Sequence, residues 1–167
     1  TKKVKTGSDN MALLRTITSQ VLADREIPQF ILDTSKTLIS DGLVCTLAGA
    51  KTEQAEAMRH YLESKRERYG GLTDEDLALG LGFSAHALDF DNSSNYIGHN
   101  SAVLVPTALA ISRRQPISGA DLIRAYALAT EVSFQIALQA VPDLNFRGFH
   151  ITPVFGVIGA TVEAGLL

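Results

Sequence analysis

The chain has 167 residues, 46% of them hydrophobic and 20% charged, with a formal net charge of -3 and no tryptophan. That length suits one domain, and the balance lies far from disordered or fibrous chains. The small negative charge gives no footing for nucleic acid or an anionic membrane, no apolar run reaches the ~18 residues of a membrane span, and a single cysteine forbids an internal disulfide. That cysteine, Cys45, lies in an apolar run and reads as a buried, reduced thiol. The compartment expected is the cytoplasm, with the mitochondrion left open.

The polar, basic start "TKKVKTGSDN" predicts a disordered tail over residues 1–9, followed by one helical domain over residues 10–167. Asn10 to Ala23 predict the first helix, with Leu14, Ile17, Val21 and Leu22 on one face. Pro28 suits a first helical turn, and the apolar series Phe30, Ile31, Leu38, Leu43, Val44, Leu47 runs to Gly49, a plausible helix end. Thr52 to Tyr69 carry Glu63 and Glu67 among Lys65, Arg66 and Arg68, a solvated helix closed by Gly70-Gly71. Thr73-Asp74-Glu75-Asp76 resembles a capping box that opens the next helix. The glycines of its "LALGLGF" cost stability unless another backbone packs closely on them.

A polar loop follows. Ser101 to Arg114 are helical again, with Pro106 expected to kink the helix or mark an early turn. Ser118-Gly119-Ala120-Asp121 starts a helix that periodicity carries to about Ala140, and "VPDLNFRGFH" reads as a loop. From Ile151 a helix rich in Gly and Ala predicts tight packing. Strand signals are nearly absent and no repeat is visible. The fold class expected is all-α, a bundle whose central helices are apolar on most sides. "FGVIGATVEAGLL" stops in a helical pattern with no cap, from which a piece of a longer protein is expected.

The loop "AHALDFDNSSNYIGHNSA" gathers two aspartates and two histidines. In an extended segment Asp89 and Asp91 point to one side, with Phe90 packed the other way. Close carboxylates raise one another's proton affinity, which suits proton transfer; both also suit loop or capping positions. His99 precedes a helix start, where free N–H groups attract carboxylates and an imidazole can relay a proton, or simply sit at the surface. Arg147 and His150 stand ahead of the last helix as a second potential carboxylate clamp, or as loop residues with local partners. His86 reads as a satisfied core histidine and His60 as solvated. With no HxxxH, HExxH or cysteine cluster, no metal is expected. "GLGF" follows a helix rather than a strand, which excludes a dinucleotide loop.

"AHALDFDNSSNYIGHNSAVLVPTALA" resembles the signature of the MmgE/PrpD family, which includes 2-methylcitrate dehydratases, cis-aconitate decarboxylases and iminodisuccinate epimerases. "LISDGLVCTLAGA", "ISGADLIRAYALATEVSFQIALQ" and "RGFHITPVFGVIGATVEAGLL" resemble further family segments in the same order. The resemblance implies a large helical domain whose smaller α+β lid is absent after Leu167, with the active site in the cleft between the two. It implies a homodimeric lyase without metal or organic cofactor. Such a lyase acts on a small di- or tricarboxylate by moving a proton next to a carboxylate. By position, Asp89 and His99 match the acid/base residues, Ser93 a substrate-binding threonine, Asp91 the second aspartate, and His150 the histidine of RGFH; Asp91, Ser93, Arg147 and His150 are the residues expected to bind substrate. Asn92, Ser93, Asn100 and Ile151 stand where relatives have Asp, Thr, Pro and Pro, and the link from Ala50 to Ala85 is short. Two alternatives accompany this reading: a truncated, non-catalytic dimerisation module, and an epimerase of an amino-dicarboxylate. Without a lid, the chain by itself is expected to be a poor catalyst, because its site would stay wet.

Overall fold

The computed structural model describes residues 7–21, 23 and 26–167. Most of the tail expected over residues 1–9 lies outside the described residues, and helix α1 opens at Gly7. The described residues hold seven helices and no strand: α1 (Gly7–Val21), α2 (Gln29–Gly49), α3 (Glu53–Tyr69), α4 (Asp74–His86), α5 (Ser101–Ile111), α6 (Gly119–Phe146) and α7 (Ile151–Leu166). The all-α fold expected from the sequence is the fold observed. Among the described residues no helix is long and apolar enough to cross a membrane.

Local chemistry sets the helix ends. The Thr52 hydroxyl accepts the Ala55 N–H and starts α3, and Gly70 ends it in the left-handed region at φ 75. Thr73 and Asp76 form the capping box of α4. Asp76 also takes the Lys65 ammonium, which, with the Thr73 backbone N–H, holds its carboxyl below the usual range and ties α3 to α4.

Helix α5 is the hub and packs against α2, α4, α6 and α7. Its residues Ser101, Ala102, Leu104, Val105, Pro106, Ala108 and Ala110 are buried, so no side of it faces water continuously. The helix expected over this segment includes Pro106. A proline cannot donate to the carbonyl four residues back, here Ala102. The backbone of α4 covers that oxygen: a Cβ added at Gly82 would lie 2.9 Å from it. One of the "LALGLGF" glycines therefore has the close backbone neighbour that its cost demanded. Another close approach joins α2 to α4, where a Cβ on Gly49 would sit 1.9 Å from the Ser84 carbonyl oxygen.

Helices α6 and α7 pack side by side. Helix α6 continues to Phe146 rather than ending near Ala140. Val141 is buried with Ile97, Ala137 and Phe155, and Leu144 packs on that cluster. Burial of these side chains carries the helix through a segment whose composition reads as loop. A second core cluster joins Ile39, Leu104, Val105, Tyr126 and Ala129 from α2, α5 and α6. Cys45 is buried and free, and burial, with the Asp41 and Asp91 carboxylates, pushes its thiol up.

Candidate active site

The loop between α4 and α5 builds the site through two unusual backbone positions. Asp89 stands at φ 50, the left-handed region, which Asp tolerates better than most residues. Its N–H donates to the His86 carbonyl at 3.0 Å, turning the chain sharply back past the end of α4. Further on, Ser94 and Gly98 exchange backbone hydrogen bonds of 3.0 Å, pinching residues 94–98 into a turn. Gly98 is at φ 64, and a Cβ there would lie 2.1 Å from the Thr152 hydroxyl. Only glycine fits both the angle and the contact. Its absent side chain lets the His99 N–H donate to Thr152 Oγ1 at 3.1 Å. The N-termini of α5 and α7 are thereby drawn together, and their positive ends share one region.

Asp91 sits at the centre of the cluster, with a side chain 0% exposed. One of its oxygens lies 2.9 Å from His86 Nδ1 and the other 3.1 Å from His99 Nδ1. The two imidazoles are tilted against each other with ring centroids 4.4 Å apart. Asp89, 80% exposed, approaches from the opposite side, 3.7 Å from His99 Nε2 and 4.0 Å from His86 Nε2. The two aspartates do meet at His99, though not by strand alternation. The left-handed turn at Asp89 breaks the extended geometry, and Phe90 faces solvent rather than the core.

A polar chain behind the cluster fixes the loop. The Asn92 backbone N–H and side-chain amide donate to Asp41 Oδ2 at 3.0 and 2.7 Å. Its side-chain oxygen accepts the Ser101 hydroxyl at 3.0 Å, and Ser101 Oγ lies 2.6 Å from Tyr126 OH. Burial pushes the Tyr126 phenol up, which keeps it a neutral hydrogen-bonding group. Asn100 donates to Thr130 Oγ1 at 2.8 Å. Loop, α2, α5 and α6 are thus joined by hydrogen bonds at the floor of the site.

The remaining expected site residues make no side-chain bond to this cluster that the structure records. Ser93, Arg147 and His150 are exposed, the last as N-cap of α7 with no side-chain capping bond. His86, read as a core histidine, is instead the second imidazole on Asp91. It also reaches a groove of about 1030 Å³ between α4, α5 and α7, whose walls include Leu79, Phe83, Val103, Val157 and Thr152. The groove is mainly apolar, and Arg114 at its edge is paired with Asp74. His86 and Asp91 are five positions apart across a helix end, a spacing that carries no recognised ligand pattern. Asp41, Tyr126 and Thr152 gave no sequence signal, because they come from other helices.

His99 is thus held at Nδ1 by a buried carboxylate, with a second carboxylate near Nε2, a geometry that proton transfer can use. The MmgE/PrpD N-terminal domain matches residues 20–167, and the chain belongs to that family. Among curated proteins it is similar to the cis-aconitate decarboxylase-like protein oryM of Aspergillus oryzae (strain ATCC 42149 / RIB 40), 26% identical over 166 residues. That match covers 87% of this chain and 34% of the relative, so the chain spans about a third of the relative's length. No solved structure gives a significant match.

Proposed function

We propose that this chain is the acid/base-bearing helical part of a cofactor-independent lyase. Its substrate is a small di- or tricarboxylate of the 2-methylcitrate or cis-aconitate type. One observation carries the reading: His99 is gripped by buried Asp91 at Nδ1 and faces Asp89 with Nε2. An ionised Asp91 accepts the Nδ1 hydrogen, so the neutral ring keeps its lone pair on Nε2. That nitrogen takes the proton from the carbon next to a substrate carboxylate, and Asp91 stabilises the imidazolium that results. Asp89 exchanges the proton with His99 or delivers it to the leaving group.

Asp91 positions the ring in this scheme. Ser93, Arg147 and His150, with the N-terminus of α7, bind substrate carboxylates from the exposed side. The intact protein is a homodimer in this reading, supported by Val44 and Leu47, apolar and exposed one turn apart on α2. The groove favours a second reading, a non-catalytic helical module, because it is mainly apolar and its Arg114 is already paired. Epimerisation of an amino-dicarboxylate is a variant of the first reading in which the proton returns to the opposite face.

Full-length protein assayed against a panel of di- and tricarboxylates, following absorbance and carbon dioxide release, tests the proposal. Asp89→Asn and His99→Ala are each expected to cut turnover ~100-fold or more with unchanged circular dichroism. Wild-type rates in both variants would remove these residues from the mechanism, and an inactive full-length protein would leave the module reading.

A further inference from the structure

Asp91 determines where the hydrogens of both imidazoles lie. A carboxylate accepts hydrogen bonds and does not donate them, so at 2.9 and 3.1 Å each Nδ1 is the donor. Each neutral ring then carries its lone pair on Nε2. Both Nε2 atoms face the same carboxylate oxygen, Asp89 Oδ1, at 4.0 and 3.7 Å. Both imidazole lone-pair atoms thus lie within 4.0 Å of one carboxylate oxygen, with no hydrogen to share among them. A cation placed beside that oxygen is attracted by all three atoms.

We propose that His86 Nε2, His99 Nε2 and the Asp89 carboxylate form a binding site for a divalent cation of the zinc class, with Asp91 bracing both imidazoles from behind. Imidazole nitrogen selects zinc, copper and nickel over magnesium and calcium, which prefer all-oxygen shells. Nitrogen and oxygen ligands stand about 2.1 Å from zinc, which sets tetrahedral ligands roughly 3.4 Å apart. The separations of 3.7 and 4.0 Å are a few tenths of an ångström wider, and Asp89, 80% exposed, can rotate to close them. A carboxylate bonded to the far nitrogen of a ligating histidine is the usual outer support of zinc sites. Here one buried carboxylate serves two histidines.

The ion is not a cofactor in this scheme. It occupies the lone pairs that proton transfer needs, so, on the lyase reading above, cation binding and catalysis exclude each other. The cation then acts as an inhibitor, displaced by chelators. Cation binding itself does not depend on that reading.

Calorimetric titration of this chain with zinc chloride tests the site, with magnesium chloride as the control. One saturable zinc site and no magnesium binding are expected. Asp89→Asn and His86→Gln should each weaken zinc binding by about tenfold or more, and Asp91→Asn by about 10–100-fold. If Asp91→Asn fails to fold, the Asp89→Asn result decides, because that side chain is largely in solvent. Long-range proton–nitrogen spectra of the histidines should show zinc on Nε2 with the Nδ1 hydrogen retained. No saturable site, undiminished binding in Asp89→Asn and His86→Gln, or zinc on Nδ1 would each overturn the proposal. Zinc that binds without inhibiting an active full-length enzyme would refute the inhibitory role, whereas an inactive enzyme that still binds zinc here would refute only the lyase reading.

Discussion

Asn92 and Asp41 are fifty-one positions apart, yet the Asn92 backbone N–H and its side-chain amide both donate to one Asp41 oxygen, at 3.0 and 2.7 Å. This pairing explains why an amide suits position 92, where the MmgE/PrpD signature resembled by this segment has an acid. A carboxylate there would lose a donor and set two like charges within hydrogen-bond distance.

Asn92→Asp is therefore expected to destabilise the fold by about 1–3 kcal/mol at neutral pH. The loss should shrink in mild acid, as the crowded pair takes up a proton. Urea denaturation at two pH values measures both effects. An unshifted midpoint would show that the Asp41–Asn92 contact contributes nothing.

Glu163 makes a pH-dependent prediction. It is fully buried in α7, and neither carboxyl oxygen has a hydrogen-bond partner among the described residues. Burial pushes its carboxyl from 4.5 up to about 9. Between those values the folded chain holds the proton and the unfolded chain releases it. Stability is then fully present below pH 4.5 and falls as pH rises towards about 9. Glu163→Gln, which never ionises, lacks that slope. From pH 5 to pH 8 the wild type should lose on the order of 4 kcal/mol relative to the variant. Parallel stability curves for the two proteins would contradict this.

Gly49 tests the contact between α2 and α4. A Cβ there would meet the Ser84 carbonyl oxygen at 1.9 Å, so the two helices would have to part. Gly49→Ala should cost about 3 kcal/mol, read as a lower thermal midpoint. Gly119→Ala, where nothing lies within 4 Å, is the matched control and should change little. Equal midpoints for the two variants would mean that the helices are not held this closely.

Helix periodicity and end chemistry were legible from the residues alone. The Thr73 capping box, the Gly70 stop and the small-residue packing of α7 follow from neighbours a few positions apart. One expectation about the helices failed: helix α6 runs past Ala140, because partners from distant segments bury its side chains. Local propensity is worth a few tenths of a kcal/mol per residue, and tertiary burial outweighs it.

The sequence by itself determined an all-helical chain, its family, and the loop that gathers Asp89, Asp91 and His99. Only the tertiary structure decided which atoms face each other. It made His86 a partner of Asp91, turned Asp89 out through a left-handed residue, and set Arg147 and His150 in solvent. It also brought Asp41 and Thr152 to the loop. Spacing along a chain constrains neighbours within a turn or two of helix. The direction of a side chain beyond a bend, and the residue it meets from another helix, depend on how whole helices pack.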